Sequence, residues 1–241
     1  MVPPPSQYAL RLAAIVPAWN EAATVGPVVR ALREGGAERV LVVDGGSRDG
    51  TPALAAEAGA EVIHEPRRGY GRACLAGLAA LSPAPPDAVV FADADGADDP
   101  ADLAALADAL AGADLVVGSR VLGARAGRVE RGALTPVQRW GNALACSLVR
   151  ARWGVAWTDL GPFRAIRWDA LQRLGMRDET WGWTVEMQAR AAREGLRCAE
   201  VPVAYRRRRA GESTISGTLS GSARAGAKIL WTVGALAAGA R

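Results

Sequence analysis

The stretch ERVLVVDGGSRDGTPALAAEAGAEVIHEP, residues 38–66, places two short apolar runs on either side of a helical segment. The first run ends in an acid and a glycine-rich turn. Thr51 followed by Pro52 then predicts a helix start, with a capping side chain before a proline at the first helical position. The second run, AEVIHEP, follows the helix. This order predicts a strand–helix–strand unit, which joins parallel strands of one sheet.

Three further apolar runs extend this alternation of strands and helices. They are LAAIVPAWN at 12–20, DAVVFADAD at 87–95 and ADLVVGSR at 113–120. Short, continuously apolar runs are typical of strands that are covered on both faces. The sequence therefore predicts an α/β fold, a doubly wound and mostly parallel sheet with helices on both faces. Such sheets bind their ligands at the carboxyl ends of the strands.

Composition places the chain among ordinary globular proteins. Half of its 241 residues are hydrophobic and 22% are charged, which is typical of a folded domain and not of a disordered chain. The three cysteines, Cys74, Cys146 and Cys198, are odd in number and far apart, so they indicate neither a disulfide framework nor a zinc site. A reducing cytoplasm is the expected location.

The charge pattern and the lengths of the apolar stretches indicate which partners the chain can bind. The net charge of +4 is modest and is not striped along a helix, which argues against double-stranded nucleic acid. No stretch reaches the roughly 18 apolar residues that a membrane span needs.

We expect a disordered leader at 1–10, one domain at 11–220, and a C-terminal helix at 221–241 that packs on the core or lies at an interface. The sequence leaves the oligomeric state open.

The segment FADADGADDP, residues 91–100, gathers four acids directly behind an apolar run. Asp93 and Asp95 are expected just past the fourth strand, at the ligand-binding edge of the sheet. Their hard oxygen atoms, with no His or Cys beside them, suit Mg²⁺ or Mn²⁺ that holds phosphates, and a solvated turn is the alternative. Asp99 is expected to cap the next helix, and Asp98 either serves that helix start or joins the other acids as a ligand.

Two other strand ends supply polar groups for a nucleotide pocket. The first strand finishes in VPAWNE, which presents Trp19, Asn20 and Glu21. The second finishes in VVDGGS, where Asp44 is placed to hydrogen-bond a base or ribose edge, or to cap the turn. Trp19 alone is equally compatible with a core position. On one edge with two further carboxylates, these residues predict a nucleotide site.

Other site types fit the sequence poorly. GYGRAC at 69–74 starts like a dinucleotide fingerprint, but Cys74 takes the place of the third glycine and the motif follows the third strand. A Rossmann dehydrogenase is therefore disfavoured. No Walker A sequence is present. His64 is the only histidine and lies in a predicted strand, so a Ser-His-Asp triad is not expected.

Six motifs occur in the order found in family 2 glycosyltransferases of the GT-A fold. They are IVPAWNEAATV, VVDGGSRDGT, RRGYGRACLAGL, FADADGADDP, VVGSR and GESTISGT. The chain most resembles the dolichyl- or polyprenyl-phosphate sugar transferase branch, over residues 11–220. This resemblance implies a nucleotide-sugar-binding half at 11–120 and an acceptor half at 121–220. It also implies metal-dependent, inverting transfer of a sugar from a nucleotide-diphosphate sugar of the GDP-mannose or UDP-glucose type.

The resemblance also implies roles for single residues. The nucleotide sugar is implied to contact Pro17, Trp19, Asn20, Glu21, Asp44, Gly69, Asp93, Ala94 and Asp95. Within this set, Asp93 and Asp95 are the implied ligands of Mg²⁺ or Mn²⁺. By their charge, and not by the resemblance, the arginines of the run beside the GESTISG loop are candidate contacts of the acceptor or its phosphate, together with a serine of that loop: Arg206, Arg207, Arg208, Arg209 and Ser213. Arg120, in VVGSR, is implied to lie near phosphate.

Three positions depart from the family pattern. Gly45 replaces the second acid of a V-D-D-G-S motif, which bears on the choice of base or ribose. Ala97 and Asp98 stand where relatives often have glutamine and histidine. Thr214 stands where lysine is usual, so one phosphate-binding cation is missing.

Charge decides what each acceptor would need. A hydroxyl acceptor must lose a proton to a base, and Asp159 and Glu186 are the candidate catalytic carboxylates. A phosphate acceptor is already anionic and needs cations, which Arg120 and the run at 206–209 offer. Polyprenyl phosphate and a soluble hydroxyl both stay open. In the first case the arginine run would also attract an anionic bilayer, at the inner face of the membrane; otherwise it is a solvated loop.

Two other functions share an α/β core. A sugar-phosphate nucleotidyltransferase would ordinarily carry a glycine-rich basic loop after the first strand, and PAWNEAATVG is not such a loop. A nucleotide-sugar-binding module without activity is disfavoured by the intact pair of aspartates at 93 and 95.

Overall fold

The fold is built on one seven-stranded sheet. The computed structural model describes residues 10–207, residue 228 and residues 231–238. The strands are β1 Leu12–Ala18, β2 Ala37–Asp44, β3 Glu61–His64, β4 Ala88–Phe91, β5 Leu115–Ser119, β6 Arg164–Arg167 and β7 Cys198–Pro202. Their order is β3-β2-β1-β4-β6-β5-β7, and every neighbouring pair is parallel except the two that involve β6. The mostly parallel sheet that the sequence predicts is therefore confirmed.

Helices cover both faces of this sheet. They are α1 Val25–Glu34, α2 Thr51–Glu57, α3 Tyr70–Leu81, α4 Leu103–Ala109, α5 Arg120–Arg125, α6 Pro136–Trp153, α7 Trp168–Leu174 and α8 Trp183–Arg193, with a 3₁₀ turn at Pro100–Asp102. Successive residues of β1 point to opposite faces, so Ile15 packs in one buried cluster and Val16 in the other. The two clusters explain why the central strands are apolar on both faces.

β3 departs from the apolar strand pattern. It lies at the edge of the sheet, and Glu61, Val62 and His64 are exposed. Arg39 of β2 pairs with Glu61 at 2.7 Å along this edge. Charged side chains on an edge strand discourage further strand pairing, so the polar residues fit the position of β3.

β6 joins the two halves of the chain. It runs antiparallel between β4 and β5, so that Arg164 lies opposite both Phe91 and Val117. A strand from the second half of the chain therefore lies inside the sheet of the first half. The division at residue 120 stays a prediction about function, because both halves share one sheet.

The two predicted helix caps have different outcomes. Asp99 accepts a hydrogen bond from the amide of Ala101 at 3.2 Å, so it caps the 3₁₀ turn as predicted. The prediction for Thr51 is wrong, because Gly50, with a φ of 88°, is the cap and Thr51 is already the first residue of α2. The hydroxyl of Thr51 instead accepts from the amide of Glu21 at 2.8 Å, since the glycine turn brings α2 against the β1 loop.

The C-terminal helix is seen in part. Lys228 and residues 231–237 are helical, and Val233 and Leu236 pack on the core, whereas Trp231 is 66% exposed. The rest of the predicted helix, residues 208–220 and the leader before residue 10 lie outside the described residues. In the part of the chain that is described, no helix combines the length and apolar character that a membrane span needs.

Candidate active site

The loops that follow β1, β2 and β4 meet at one edge of the sheet. These strands are parallel neighbours, so their carboxyl ends lie side by side. Trp19 follows β1, Asp44 ends β2, and Asp93 and Asp95 follow β4. The structure thus brings together predicted nucleotide-site residues from three separate segments.

The acids behind β4 form a concentrated negative patch. Asp95 is buried and accepts a hydrogen bond from the amide of Ala97 at 2.9 Å. Asp98 is 6% exposed, and neither of its carboxyl oxygens has a hydrogen-bond partner among the described residues. Burial and then the charge of Asp93 raise the pKa of Asp98 well above its usual range. A buried carboxyl without a donor is costly unless a ligand completes it.

The capping alternative for Asp98 is wrong, whereas its effect on the helix dipole stays a prediction. Asp99 provides the cap, and the Asp98 side chain lies near enough to Asp93 and Asp95 for both charges to raise its pKa. Within residues 10–207, 228 and 231–238, no three His, Cys, Asp or Glu side chains are grouped closely enough to hold a metal unaided. A divalent ion here would therefore need oxygen atoms from a bound phosphate as well as from aspartates.

A cavity of about 440 Å³ lies between the loops after β1 and β2. Trp19, Asn20, Arg48 and Arg68 form part of its wall. The guanidinium carbon of Arg68 lies 4.0 Å from the centre of the Trp19 ring, so this tryptophan is a pocket side chain and not a core one. Two arginines and an aromatic ring suit an anionic ligand that carries a flat base.

Hydrogen bonds lock the two loops of this cavity together. The side-chain oxygen of Asn20 accepts from the amide of Arg48 at 2.9 Å, and the amide of Asn20 donates to the hydroxyl of Ser47 at 2.9 Å. Asn20 has a φ of 54°. Asparagine adopts this left-handed conformation more readily than most residues, which fits it to this turn.

Asp44 shapes the turn after β2. It is 2% exposed, and its oxygens accept from the amides of Gly46 and Ser47, each at 3.1 Å. Its Oδ2 lies 3.4 Å from Nδ1 of His64. The turn-capping alternative for Asp44 is therefore present in the structure, and its contact with a base or ribose stays a prediction.

Three other residues of the predicted nucleotide-sugar set have packing roles. Pro17 lies in β1 opposite Val43. The carbonyl of Glu21 accepts from the amide of Val25 at the start of α1, at 2.9 Å. Ala94 is 2% exposed. Their contacts with a nucleotide sugar stay predictions.

The backbone conformation and the close packing at position 69 require a glycine. It has a φ of 151°, and a Cβ here would overlap the carbonyl oxygen of Glu179. A Cβ on Gly71 would likewise overlap the carbonyl of Asp178. The glycines of RRGYG therefore let the start of α3 dock on the loop before α8. A nucleotide contact of Gly69 stays a prediction beside this packing role.

Arg120 and Asp159 form a largely buried ion pair at the start of α5. Nε and Nη2 of Arg120 donate to the two carboxylate oxygens at 2.8 Å each, and the Arg120 amide donates to Oδ2 at 2.7 Å. Burial lowers and Asp159 raises the pKa of Arg120, and the net change is upward. Arg120 and Asp159, to which the sequence assigns separate roles, thus form one hydrogen-bonded unit.

Neighbouring hydroxyls fix this pair in place. Ser119 caps α5 by accepting from the amide of Leu122 at 3.0 Å, and its hydroxyl lies 2.7 Å from that of Thr158. Thr158 in turn donates from its amide and its hydroxyl to the carboxyl of Glu200 in β7, both at 2.9 Å. Elements that are distant in sequence therefore hold Arg120 and Asp159 together.

A larger cavity, of about 710 Å³, opens beside Arg120. Its walls come from α5, α6 and the segment 156–159, and they include Arg120, Arg125, Arg139 and Arg150 together with the apolar Val121, Leu134 and Trp157. The cavity therefore combines cationic and apolar surface. We call it the acceptor cavity.

α6 stands at the surface of the molecule. A capping box of Thr135 and Gln138 begins it, and Gly154, in the left-handed region, ends it. One side of α6 lines the acceptor cavity, while Val137 and Trp140 are 56% and 69% exposed. Exposed large apolar side chains beside a cavity mark a candidate interaction surface.

Glu186 has a packing role in the structure. It is 4% exposed, pairs with Arg190 at 2.8 Å, and accepts from the amides of Arg177 and Asp178 at 3.2 and 2.8 Å. It lines neither of the two cavities. The structure therefore does not bring Glu186 to the acceptor cavity, because its carboxylate is turned to the loop before α8.

The arginine run is seen only at its start. Arg206 pairs with Asp99 at 2.6 Å, and Arg207 lies 3.6 Å from Glu130. Both are exposed, so part of the predicted cationic surface is neutralised by neighbouring acids. The predicted acceptor residues Arg208, Arg209 and Ser213 lie outside the described residues.

Arg68 and Tyr205 lie at this edge and were not predicted from the sequence. Arg68 covers Trp19, and its signal is its place directly before the glycines at 69 and 71. The ring of Tyr205 lies 5.2 Å from the Arg120 guanidinium, and its backbone forms a bridge to Asp98. Burial raises the pKa of Tyr205 to about 12. Only its position before the arginine run hints at this location.

Comparison with known proteins identifies the family. The family model for glycosyl transferase family 2 matches residues 13–175. The chain belongs to this family. An uncharacterized glycosyltransferase of Mycobacterium tuberculosis is 40% identical over 211 residues, which are 86% of this chain and 91% of the relative. The undecaprenyl-phosphate mannosyltransferase of Micrococcus luteus is 35% identical over 228 residues, with 89% and 91% covered. The predicted family and its polyprenyl-phosphate branch are confirmed.

A solved structure shows the same fold. Glucosyl-3-phosphoglycerate synthase from Mycobacterium tuberculosis, in complex with Mn²⁺, uridine diphosphate and glucosyl-3-phosphoglycerate, superposes with a TM-score of 0.70. It is 23% identical, and the match covers 93% of this chain and 80% of that one. The GT-A fold is therefore confirmed. This chain is a glycosyltransferase of the hexosyltransferase kind.

Proposed function

We propose that this protein transfers a hexose from a nucleoside-diphosphate sugar to a polyprenyl phosphate at a membrane surface. The observation that carries the proposal is the Arg120–Asp159 pair in the wall of the acceptor cavity. A prenyl chain needs apolar walls and its phosphate needs cations, and this cavity has both. The Micrococcus luteus relative is named an undecaprenyl-phosphate mannosyltransferase, which supports the same acceptor class.

The geometry favours an acceptor that needs no base. Among the described residues that line the acceptor cavity, the carboxylate is that of Asp159, and both its oxygens accept from Arg120. Taking a proton from a hydroxyl would break this pair, at a cost of about 3–5 kcal/mol. A phosphate is already ionised and can displace the leaving group directly, with inversion. A soluble hydroxyl acceptor is therefore the less favoured alternative.

Asp93, Asp95 and Asp98 would supply part of the ligand set of a divalent metal, and phosphate oxygens of the donor would supply the rest. The Asp98 oxygens, which lack hydrogen-bond partners among the described residues, are the observation that such an ion would explain. Mg²⁺ and Mn²⁺ prefer hard oxygen ligands of this kind. When bound, the ion would supply positive charge that stabilises the leaving diphosphate. The Mn²⁺ in the glucosyl-3-phosphoglycerate synthase complex supports this choice.

The same edge of the molecule suits a bilayer surface. Val137 and Trp140 of α6 are exposed beside the acceptor cavity, and Arg139 and Arg150 lie in its wall. Aromatic side chains favour the headgroup level, and each basic residue near an anionic surface contributes about 1 kcal/mol. We therefore place the protein in the cytoplasm, attached peripherally at the inner face of the membrane.

Product analysis tests the proposal. Purified protein with Mn²⁺ is given GDP-mannose or UDP-glucose, together with either polyprenyl phosphate in vesicles or soluble sugars. We expect nucleoside diphosphate to be released and the labelled hexose to enter the lipid extract. In a parallel reaction with a nucleoside triphosphate and a hexose 1-phosphate, release of pyrophosphate would point to a nucleotidyltransferase. Transfer to soluble hydroxyls alone would overturn the acceptor assignment.

The donor base is found by a thermal-shift screen. Nucleoside diphosphates are added with and without Mn²⁺, because a ligand at one hundred times its Kd stabilises the fold by about 2.7 kcal/mol. We expect one base to give the largest shift and to need the metal. Gly45→Asp, which restores the usual second acid beside Trp19, is expected to change that preference.

A further inference from the structure

Arg164 is a fully buried arginine that has no acidic partner among the described residues. Arg120 and Arg190 differ from it, because each lies in a largely buried ion pair, with Asp159 and with Glu186 respectively, at 2.8 Å each. Burial lowers the pKa of Arg164 to about 10, so the side chain still carries its charge at neutral pH. Burying a charge without a counter-charge is costly, so the hydrogen bonds that Arg164 donates must offset that cost.

The guanidinium of Arg164 holds the chain directly after Asp159. Nη2 donates to the carbonyl of Leu160 at 3.2 Å and also to that of Gly161, and Nε donates to Gly161 at 3.1 Å. Nη1 donates to the carbonyl of Thr184 in the first turn of α8, at 3.0 Å. One planar fork thus ties the turn at 159–161 to α8.

Gln188 completes this network. Its Oε1 accepts from Arg164 at 3.3 Å, and its Nε2 donates to the carbonyl of Asp159 at 2.9 Å. On the other side of the turn, Gly161 lies so close to the carbonyl of Gly118 that a Cβ would overlap it. The turn that carries Asp159 is therefore held from both sides. Gly118, which it contacts, directly precedes Ser119, the cap of α5.

We propose that Arg164 is a positioning residue for the acceptor site: it fixes the turn at 159–161, so that Asp159 holds Arg120 where the acceptor phosphate binds. The inference rests on the proposed function. In it, Arg164 touches no substrate but sets the geometry of the phosphate-binding site. A lysine keeps the charge but cannot present a planar fork to three carbonyls. A displacement of about 1 Å at a reacting group costs on the order of 10²-fold in rate.

Arg167, three residues further along β6, offers a matched control. Its Nε donates to the carbonyl of Ala113 at 3.3 Å and its Nη2 to that of Leu110 at 2.6 Å. These carbonyls lie between α4 and β5 and line neither cavity. Replacing Arg167 thus removes guanidinium-to-carbonyl hydrogen bonds from the same strand without reaching Asp159.

Hydrogen–deuterium exchange tests the positioning without any substrate. The Arg120 amide donates to Asp159, and the Leu160 amide donates to Asn142. Arg164→Met is expected to speed exchange at both amides by about tenfold, whereas Arg167→Met leaves both unchanged. If Arg164→Met does not fold, Gln188→Met removes the other half of the network and carries the same expectation. Unchanged exchange at these amides, or an equal rise along the whole chain, overturns the inference.

Kinetics then test the consequence for the acceptor. For Arg164→Met, the KM for a prenyl phosphate is expected to rise by about tenfold or more, while the Kd for the nucleoside diphosphate with Mn²⁺ stays within about twofold. Arg164→Lys should recover part of the loss, and Arg167→Met should match the parent. A parent that uses no prenyl phosphate rejects the proposed function itself. An active parent whose acceptor KM is the same in Arg164→Met rejects the positioning role alone.

Discussion

Asp99 pairs with Arg206 and caps the 3₁₀ turn, whereas Asp98, one residue earlier, is buried and has no hydrogen-bond partner among the described residues. Asp95, three residues before that, already accepts from a backbone amide. Adjacent residues of one type thus have different roles, because the chain turns each side chain to a different neighbour. Asp93 and Asp95, the predicted metal ligands, are the ones to test.

Asp93→Asn and Asp95→Asn are each expected to lower turnover by at least about 10³-fold, because the metal supplies several kcal/mol of charge stabilisation. Neither change should lower the melting temperature of the metal-free protein by more than a few degrees. Activity is measured after EDTA treatment and addition of Mn²⁺. Asp108→Asn, at an exposed position on α4, is the control. Near-normal turnover in either variant would show that the ligand assignment is wrong.

Asp98→Asn is expected to stabilise the metal-free protein at neutral pH. The folded pKa of Asp98 is raised above the unfolded value of about 3.9, so the folded state binds the proton more tightly. Its contribution to stability is therefore largest below that pH and falls as the pH rises toward the folded pKa. Replacing this buried carboxyl by a neutral amide should gain about 1–3 kcal/mol at pH 7, or roughly 2–4 °C in Tm per kcal/mol.

Melting curves in EDTA from pH 4 to pH 8 check this expectation. The parent should lose stability relative to Asp98→Asn as the pH rises, and added Mn²⁺ with nucleoside diphosphate should stabilise the parent more than the variant. Parallel pH profiles for the two proteins would contradict the account of Asp98.

At the scale of elements, α8 carries Glu186, a predicted catalytic carboxylate, near its start. An acid near the start of an amphipathic helix is compatible with a base, but the structure gives Glu186 two backbone amides and Arg190 as partners. These contacts fasten the loop at 177–178 to α8. The carboxylate therefore serves the packing of α8.

Glu186→Gln is accordingly expected to lower stability without lowering kcat. Breaking a buried ion pair while leaving Arg190 in place costs about 3–5 kcal/mol. Urea unfolding measures the loss, and kcat is measured at a temperature where the variant is folded. Glu194→Gln, at an exposed pair with Arg193, is the control and should cost less than about 1 kcal/mol. A large fall in kcat at full folding would restore Glu186 as a catalytic candidate.

β1 to β5 were predictable because their apolar runs carry the signal locally. The antiparallel place of β6 between β4 and β5 was not, because the strand is four residues long and begins with Arg164, whose burial depends on carbonyls from a turn and from α8. The cap of α2 failed for a similar reason, since Gly50 and Thr51 both fit a helix start and only the path of the turn decides between them.

At the scale of the whole molecule, the strand order puts β4 and the acids behind it between β1 and β2 on one side and β5 on the other. The cavity between the loops after β1 and β2 contains Trp19 and Arg68, and the acceptor cavity contains Arg120 and Asp159. Tyr205 links the acceptor side to these acids, because its ring approaches Arg120 while its backbone bridges to Asp98. Motifs fixed by strand ends predicted the nucleotide side. The acceptor side needed tertiary contacts between segments up to about eighty residues apart, such as those of Thr158 with Glu200 and of Arg120 with Tyr205.

Membrane attachment is a property of the whole surface. The protein should sediment with anionic liposomes at low salt and be released as the salt concentration rises, because screening shortens the reach of the arginines. Trp140→Ala removes an exposed ring of α6 and should weaken sedimentation. Leu54→Ala, on the exposed side of α2 at the nucleotide half, is the matched control and should not. Replacing residues 206–209 with glutamine should weaken both sedimentation and transfer to polyprenyl phosphate. If the parent stays in the supernatant with anionic liposomes and Trp140→Ala transfers to the lipid at the parent rate, the peripheral attachment is wrong and the acceptor must reach the cavity another way.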